Sequence, residues 1–512
     1  MNGEVVLAMR GITKRFPGVV ANKNVDFELR RGEVHALLGE NGAGKTTLMN
    51  ILYGLYTPDA GEIYVKGQKV TISSPRDAIE LGIGMVHQHF MLVPTLTVVE
   101  NVILGMPSSP LALDLKKARQ DIRELCQKYN FQLDVDSKVQ DLSVGIQQRI
   151  ELIKALYRGA DILIMDEPTA VLTPQEVEEL FNNLRRFIQS GKSVIFISHK
   201  LWEVMRIADR VTVLRAGEVV ATVNTRDTTR EELAALMVGR PVMMEYAKVE
   251  GRRGRPLLTL EKVRVRGEQK ASELKGVTFT VHEGEIVGLA GVDGNGQKEL
   301  AEAIMGLRPV ESGRVLFDGR DITNWTTKAR IEAGLAHVPE DRHKEGLVLD
   351  FTVAENLVLD TYDKPPFTHR KVFYPQEVRT LAQKLVREFD IRPPDPETVV
   401  RNLSGGNQQK VVLARQINRK PRFLLAVQPT RGLDVGATEF VHQRLLEEKR
   451  RGVAILLISA DLDEILLVSD RVLVIYEGQI MGEVIPGRTT YAEIGLLMGG
   501  GSRQGEECAA CS

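Results

Sequence analysis

The sequence predicts an α/β fold in which one domain occurs twice in tandem, over residues 1–240 and 257–500. A glycine-rich loop appears twice, flanking segments repeat at nearly the same offset, and apolar strand patterns alternate with helical ones. Such alternation is typical of a mostly parallel sheet flanked by helices, and the β-rich start of each copy indicates an additional antiparallel part. The length of 512 residues agrees with a chain of two or more domains.

The repeat extends well beyond the glycine-rich loop. Its offset grows slowly along the chain, as expected if two copies of one domain differ by small loop insertions. The matched pairs are Gly39–Thr46 with Gly291–Lys298, Arg31–Glu33 with Glu283–Glu285, Thr97–Asn101 with Thr352–Asn356, and Leu142-Ser143 with Leu403-Ser404.

Composition describes an ordinary globular protein. The chain is 43% hydrophobic and 26% charged, and its net charge of −1 argues against nucleic acid as the main partner. No window has the length and apolarity of a membrane-spanning helix, so we expect a soluble chain. Three cysteines form no disulfide framework and agree with a reducing cytoplasm.

Two segments are predicted to lie outside the domains. Residues 241–256 contain the basic run Gly251–Arg255 and are predicted to be a solvated linker, with phosphate or lipid binding as the alternative. Residues 501–512 are predicted to be a disordered tail, although Cys508 and Cys511 have the spacing of redox and metal motifs.

The first glycine-rich loop has the residues that bind a triphosphate. Glycines let backbone N–H groups point inward at a helix start, where the helix dipole favours an anion. Lys45 would reach the β- and γ-phosphates, and the Thr46 hydroxyl would hold Mg²⁺. A predicted strand, Val34–Leu38, precedes the loop and a predicted helix, Thr47–Leu52, follows it. The predicted phosphate-binding residues are Gly39, Glu40, Asn41, Gly42, Ala43, Gly44, Lys45, Thr46 and Thr47.

The second loop lacks this chemistry. Gln297 replaces the lysine and carries no charge, and Lys298 replaces the metal-binding threonine. It is interpreted either as a structural turn with weak or no nucleotide binding or as a working site.

An acidic pair completes the first copy. Asp166 ends the apolar strand pattern Asp161–Met165 and would hold Mg²⁺, while Glu167 beside it would polarise the attacking water.

Together these motifs resemble the ATP-binding subunits of ABC transporters, of the double-domain type that serves importers of simple sugars and nucleosides. The resemblance covers nearly all of residues 5–500 and implies a helical subdomain in each copy. It implies that Phe16 stacks on adenine, that Gln88 joins the Mg²⁺ shell and relays closure, and that His199 senses the γ-phosphate. The motifs that carry it are Gly39–Thr46, Gln88, Leu142–Arg149, Asp166-Glu167 and Ile197–His199.

The second copy departs from the family pattern at most catalytic positions. Its signature Leu403–Gln409 nevertheless remains intact, and no aromatic residue matches Phe16. The substituted positions are Glu340 for Gln88, Val427-Gln428 for Asp166-Glu167, and Ala460 for His199.

The family implies that the copies pair head to tail, so that each nucleotide meets one phosphate loop and the other copy's signature. The intact loop then receives Ser404, Gly405, Gly406 and Asp434, whereas Gln297 and Val427 meet Ser143, Gly145 and Thr173. One composite site would thus receive nearly all residues of the family pattern and the other nearly none. We therefore predict one hydrolytic site and one structural or regulatory site.

The implied partners are two membrane-spanning permease subunits at the cytoplasmic face of the membrane and, indirectly, an extracytoplasmic solute-binding protein. The apolar segments Phe90–Val99 and Leu347–Val353 would grip the permeases, with core packing as the alternative.

Residues His87–Pro94 and Thr169–Glu176 look more like the nucleoside branch than the ribose or galactose branch. A soluble twin ATPase acting on ribosomes or DNA is the alternative class, disfavoured by Val427-Gln428 and the short linker. A non-hydrolysing scaffold disagrees with the completeness of the first copy.

Overall fold

The computed structural model describes residues 3–501 except 88–89, 107–114, 130, 132, 143, 170–171, 173 and 242–252. The chain divides into two compact units, Met1–Val242 and Met243–Ser512. Most of the predicted linker, nearly all of the predicted tail, and Cys508 and Cys511 lie outside the described residues.

The described part of the first unit alternates strands and helices along the chain. Its strands are β1 Val5–Phe16, β2 Val19–Arg30, β3 Val34–Gly39, β4 Ala60–Val65, β5 Gln68–Val70, β6 Ile83–Val86, β7 Ile162–Asp166, β8 Ser193–Ile197, β9 Arg210–Arg215 and β10 Glu218–Asn224. Its helices are α1 Lys45–Leu52, α2 Pro75–Glu80, α3 Val98–Ile103, α4 Leu115–Tyr129, α5 Val144–Tyr157, α6 Pro174–Gln189, α7 Leu201–Ile207 and α8 Arg230–Val238.

Two sheets organise this first unit. One has the order β2-β1-β4-β5 and is antiparallel. The other has the order β10-β9-β3-β8-β7-β6, in which neighbours from β9 to β6 are parallel and β10 is antiparallel to β9. Both faces of a parallel sheet are covered, and accordingly all residues of β3, β7 and β8 are buried.

The second unit repeats this order. Its described strands are β11 Pro256–Val265, β12 Leu274–His282, β13 Ile286–Ala290, β14 Ser312–Phe317, β15 Arg320–Asp321, β16 Leu335–Val338, β17 Thr368–His369, β18 Val372–Phe373, β19 Phe423–Val427, β20 Ala454–Ser459, β21 Arg471–Tyr476 and β22 Gln479–Val484. Its helices are α9 Gln297–Met305, α10 Thr327–Glu332, α11 Val353–Val358, α12 Pro375–Glu388, α13 Gly405–Asn418, α14 Val435–Arg450, α15 Leu462–Val468 and α16 Tyr491–Met498.

Its sheets have the orders β12-β11-β14-β15 and β16-β19-β20-β13-β21-β22, with a short β17-β18 hairpin. Helices α11, α12 and α13 pack in one hydrophobic cluster that includes Leu357, Leu385 and Val411. The predicted α/β class, with a parallel sheet, an antiparallel sheet and a helical part in each copy, is confirmed.

Local boundaries follow from capping chemistry. Thr97 and Thr352 each cap a helix and accept from the N–H of a glutamate three residues later, whose side chain returns the bond. The strand predicted over Asp161–Met165 runs instead from Ile162 to Asp166, because pairing with β6 and β8 begins at Ile162.

Among the described helices, none has the length and apolarity that crossing a membrane requires.

Candidate active site

The topology of the first unit brings three predicted loops to one edge of its parallel sheet. Strands β3, β8 and β7 are neighbours, and their carboxyl ends are Gly39, Ile197 and Asp166. Ligands of open α/β sheets bind outside the carboxyl ends of the strands. The phosphate loop, the acidic pair and His199 therefore start from adjacent points.

The phosphate loop is shaped by glycine and held by β2. Gly44 has φ 98° and directly precedes α1, and a side chain there would overlap the Ala21 carbonyl oxygen. The buried Asn22 donates its Nδ2 hydrogen to the Gly44 carbonyl at 3.1 Å. Only glycine fits this position, so the turn of the loop depends on this residue.

Lys45 is the buried cation of this loop. Its Nζ donates to the carbonyl oxygens of Gly39 at 2.8 Å and Glu40 at 3.0 Å. Burial lowers the pKa of Lys45, and the carboxylates of Glu167 and Asp166 oppose that shift. A desolvated ammonium held by carbonyl groups is suited to pair with an anion.

The remaining predicted loop residues lie along the same turn and the first turn of α1. Thr46 is exposed at the start of this helix. The remaining residues of the predicted phosphate-binding set are Asn41, Gly42, Ala43, Thr46 and Thr47.

Glu167 and His199 form a hydrogen-bonded pair. Glu167 Oε1 lies 2.9 Å from His199 Nδ1. Burial would raise the pKa of Glu167, but the hydrogen bond from His199 and the charges of His199, Lys45 and Lys200 hold it below its usual value. The carboxylate therefore stays ionised, as a group that polarises water requires.

The backbone of Glu167 adopts an uncommon conformation. Its φ is 47°, in the left-handed region that non-glycine residues seldom occupy, and its N–H donates to the Ile197 carbonyl at 3.0 Å. Such strain persists only where the surroundings enforce it and is common at functional sites.

Asp166 is a buried carboxylate at the end of β7. Its residue is 6% exposed, and no described residue donates a hydrogen bond to it. Burial, reinforced by the neighbouring charge of Glu167 and opposed by Lys45, raises the pKa of Asp166 to about 6. Carboxylate oxygens of this kind are ligands that Mg²⁺ prefers.

This pKa has a consequence for stability without ligand. A carboxyl group whose folded pKa exceeds its unfolded value of about 3.9 contributes stability at low pH that is lost as the pH rises through the folded pKa. We expect Asp166→Asn to stabilise the chelator-treated, nucleotide-free protein at pH 8 by roughly 2 kcal/mol. Thermal unfolding would measure this; equal melting temperatures for both proteins at pH 8 would contradict it, and at pH 4 the gain should disappear.

Phe16 lies at the exposed end of β1, and two residues separate it from β2, the strand that packs on Gly44. Its ring makes an edge contact with Tyr56, with centroids 5.4 Å apart, and Lys14 Nζ lies 5.7 Å from its centroid. An exposed aromatic ring suits stacking on a nucleobase. Sequence reasoning missed Tyr56; an aromatic residue shortly after the phosphate-loop helix was the available signal.

Three predicted site positions fall outside the described residues: Gln88, Ser143 and Thr173. Gly145 is described and buried, and a side chain there would overlap the Glu176 carboxylate.

In the second unit the corresponding loop is hydrogen-bonded to itself. Gln297 Nε2 donates to the Val292 carbonyl at 2.9 Å, and its Oε1 accepts the Asn295 N–H at 3.1 Å. In the first loop the equivalent N–H, that of Ala43, donates to the Glu40 carbonyl at 3.1 Å. This geometry favours the interpretation of the second loop as a structural turn.

Other substituted positions of the second unit have acquired partners of their own. Lys298 Nζ pairs at 2.9 Å with Glu268, which occupies the position equivalent to Phe16. Gln428 Oε1 accepts the Ala460 N–H at 3.1 Å, and Glu340 pairs with Arg431. Val427 is an apolar residue buried in β19 and offers no metal ligand.

The signature of the second unit is built at a helix start. Ser404 caps α13, accepting from Asn407 Nδ2 at 2.9 Å, and Gly405 and Gly406 form its first turn. Asp434 caps α14, and a methyl group on Gly406 would lie 3.7 Å from its Oδ2. The four residues predicted to complete the first site thus lie together in the second unit, with N–H groups that suit a phosphate.

Comparison with known proteins gives the family. The ABC transporter family profile matches residues 22–170 and 274–431. The chain is 50% identical to the guanosine import ATP-binding protein NupO of Bacillus subtilis, with 98% of each chain covered. It is 50% identical to the nucleoside import ATP-binding protein NupA of Lactococcus lactis, covering 98% of this chain and 99% of NupA. It is 47% identical to the glucose import ATP-binding protein TsgD13 of Haloferax volcanii, covering 98% of this chain and 97% of TsgD13.

A glycine-rich loop, a signature and the strand that ends at Asp166 or Val427 follow one another in the same order in each unit, and the family profile matches each unit separately. The chain therefore belongs to the ABC transporter family and is an import ATPase that carries the ATP-binding cassette of this family twice.

Proposed function

We propose that this ATPase powers a nucleoside importer and hydrolyses ATP at one site, built on the first unit and completed by the second. The proposal rests on where the residues that match the family pattern lie in the two units. Lys45, Asp166, Glu167 and His199 meet in the first unit, while Ser404, Gly405, Gly406 and Asp434 cluster in the second. Head-to-tail pairing, which the family resemblance implies, would bring the two sets onto one nucleotide.

The self-bonded loop of the second unit supports the complementary half of the proposal. Gln297 uses its amide on its own loop, and Lys298 pairs with Glu268 where a base would stack. We assign this second position a structural or regulatory role.

Mg²⁺ would be held by Asp166, Thr46 and Gln88. The carboxylate of Asp166, which is buried and accepts no hydrogen bond from a described residue, and the exposed hydroxyl of Thr46 fit a hard cation that takes oxygen ligands. When bound, the ion would neutralise charge on the phosphates. Around it, Lys45 would bind phosphate oxygens, and Glu167, oriented by His199, would accept the proton of the attacking water.

The chain would work at the cytoplasmic face of the membrane, docked on two permease subunits and served by a solute-binding protein. Met91 is 64% exposed, and its twin segment exposes Val348 and Phe351. Apolar side chains exposed in the same region of both units support a docking role.

The cargo is proposed from the relatives. Two relatives at 50% identity are a guanosine and a nucleoside import protein, and a third at 47% is a glucose import protein. We favour nucleosides because residues His87–Pro94 and Thr169–Glu176 look more like the nucleoside branch than the ribose or galactose branch.

We expect a strain lacking this protein to lose uptake of labelled guanosine and to keep uptake of labelled ribose and galactose. The intact chain should restore guanosine uptake, and Lys45→Ala, which removes the phosphate-binding cation, should not. Loss of ribose or galactose uptake with unchanged guanosine uptake would instead assign the chain to the sugar branch.

Purification of the tagged chain from solubilised membranes tests the partners separately. We expect a multispanning protein to come down with it. Isolation with ribosomes and without a membrane protein would favour the soluble twin ATPase.

A further inference from the structure

A buried carboxylate lies beneath the catalytic loops of the first unit. Glu203 is the third residue of α7 and has no exposed surface. Glutamate is seldom fully buried unless its charge and hydrogen-bonding capacity are satisfied. None of the roles assigned above uses it.

The two carboxylate oxygens of Glu203 hold two different loops. Thr169 Oγ1 donates to Oε1 at 2.5 Å, and Ser198 Oγ donates to Oε2 at 2.9 Å. Thr169 follows Glu167 by two positions, and Ser198 directly precedes His199. Glu203 thus bridges the loops that carry both members of the Glu167–His199 pair.

Neighbouring hydrogen bonds support this bridge on both sides. Ser198 Oγ accepts the Lys200 N–H at 3.0 Å, so its single proton is available for Glu203. On the other side, Gln148 Nε2 donates to the carbonyl of Pro168, which joins Glu167 to Thr169. Moving either loop would therefore break several buried hydrogen bonds.

The second unit provides an internal comparison. Glu464 occupies the equivalent position and is also buried, but it bonds His442 Nε2 at 3.1 Å. Ser459, the counterpart of Ser198, accepts the Asp461 N–H just as Ser198 accepts the Lys200 N–H. Glu464 Oε2, however, has no hydrogen-bond partner among the described residues, so the serine hydroxyl does not bond it. In the described part of the chain, the two-loop bridge thus accompanies the unit that has the catalytic pair.

We propose that Glu203 is a positioning residue that holds Glu167 and His199 at the separation ATP hydrolysis requires. The inference rests on the proposed function, in which Glu167 acts on the attacking water. Such a bridge keeps the reacting groups in the geometry that the reaction needs, and even small displacements from that geometry lower the reaction rate strongly.

The test is the ATPase kinetics of Glu203→Ala in the full chain. We expect kcat to fall at least tenfold, because both loops lose their anchor. We expect KM for ATP to change less than twofold, because Lys45 is held by carbonyl groups of its own loop and not by Glu203.

Two further variants keep the test independent of folding. Glu203→Gln retains an oxygen for Ser198 and offers its amide to the Thr169 hydroxyl, so it should restore most of kcat. Thr169→Val keeps the side-chain volume and removes one of the two hydroxyl groups, so its kcat should lie between those of Glu203→Ala and the unchanged chain.

Glu464→Ala is the matched control. It also removes a buried carboxylate, so it should lower the melting temperature, yet its kcat should stay within twofold of the unchanged chain. Equal kcat values for Glu203→Ala and Glu464→Ala, or an unchanged kcat in Thr169→Val, would overturn the inference. If Glu167→Gln keeps its turnover, the proposed single-site function fails instead, whatever Glu203 does.

Discussion

Glu167→Gln is expected to lower kcat for ATP hydrolysis by at least about 100-fold, or about 3 kcal/mol of transition-state stabilisation. Glutamine keeps the size of the side chain but cannot accept a proton from water. ATP binding should persist, because Lys45 and the loop Gly39–Thr46 do not depend on the carboxylate. Phosphate release and binding of labelled ATP would measure the two effects separately.

The matched change in the second unit is Gln428→Glu. When it is combined with Glu167→Gln in one chain, it should restore little turnover. The reason is that Val427 supplies no metal ligand and Gln297 supplies no positive charge. Substantial turnover in Glu167→Gln would contradict the single-site proposal. So would recovery of activity on adding Gln428→Glu.

Ser404→Arg is expected to reduce ATPase activity as severely as Glu167→Gln, although Ser404 belongs to the other unit. Ser404 is exposed at the N-cap of α13, beside Gly405 and Gly406. If this helix start meets the γ-phosphate, a long side chain there would prevent closure on ATP. ATPase assays of the purified chain, supported by thermal unfolding, would measure the loss.

Two controls separate this effect from loss of a helix cap. Ser404→Ala removes the cap hydrogen bond, which costs about 1 kcal/mol of stability, but adds no bulk. Ser143→Arg places the same bulk in the signature of the first unit and should be milder. Equal losses from Ser404→Arg and Ser143→Arg would show that both signatures matter alike and would contradict the proposed asymmetry.

Much of the fold was predictable because its signals are local. The glycine pattern around Gly44 reflects a backbone conformation that other residues resist, and the apolar runs before Gly39 and Asp166 predict buried strands. The internal repeat then transferred each assignment to the second unit. The predicted strand start at Asp161 was wrong by one residue, because pairing with the neighbouring strands begins at Ile162 and an apolar pattern does not mark the exact end of a strand.

Contacts between distant segments were less predictable. Three contacts of the second unit have no signature in the sequence, because the spacing of the two residues follows no helical or strand period. They are the ion pair of Lys298 with Glu268, the hydrogen bond of Gln297 to Val292 in its own loop, and the hydrogen bond of Gln428 to Ala460. Sequence reasoning identified which groups the second unit lacks. It did not indicate what their replacements bind.

By itself, the sequence determined the two-copy α/β architecture and the family, and it predicted the catalytic groups, because glycine loops, buried strands and motif order are encoded in neighbouring residues. Only the tertiary structure decided that Asp166 is buried with no hydrogen bond from any described residue, that His199 contacts Glu167 and that Glu203 bridges their loops. These properties depend on which strands become neighbours in the sheet. The packing of neighbouring strands also determines how deeply a side chain is buried, which shifts its pKa, and which groups hydrogen-bond to a buried charge.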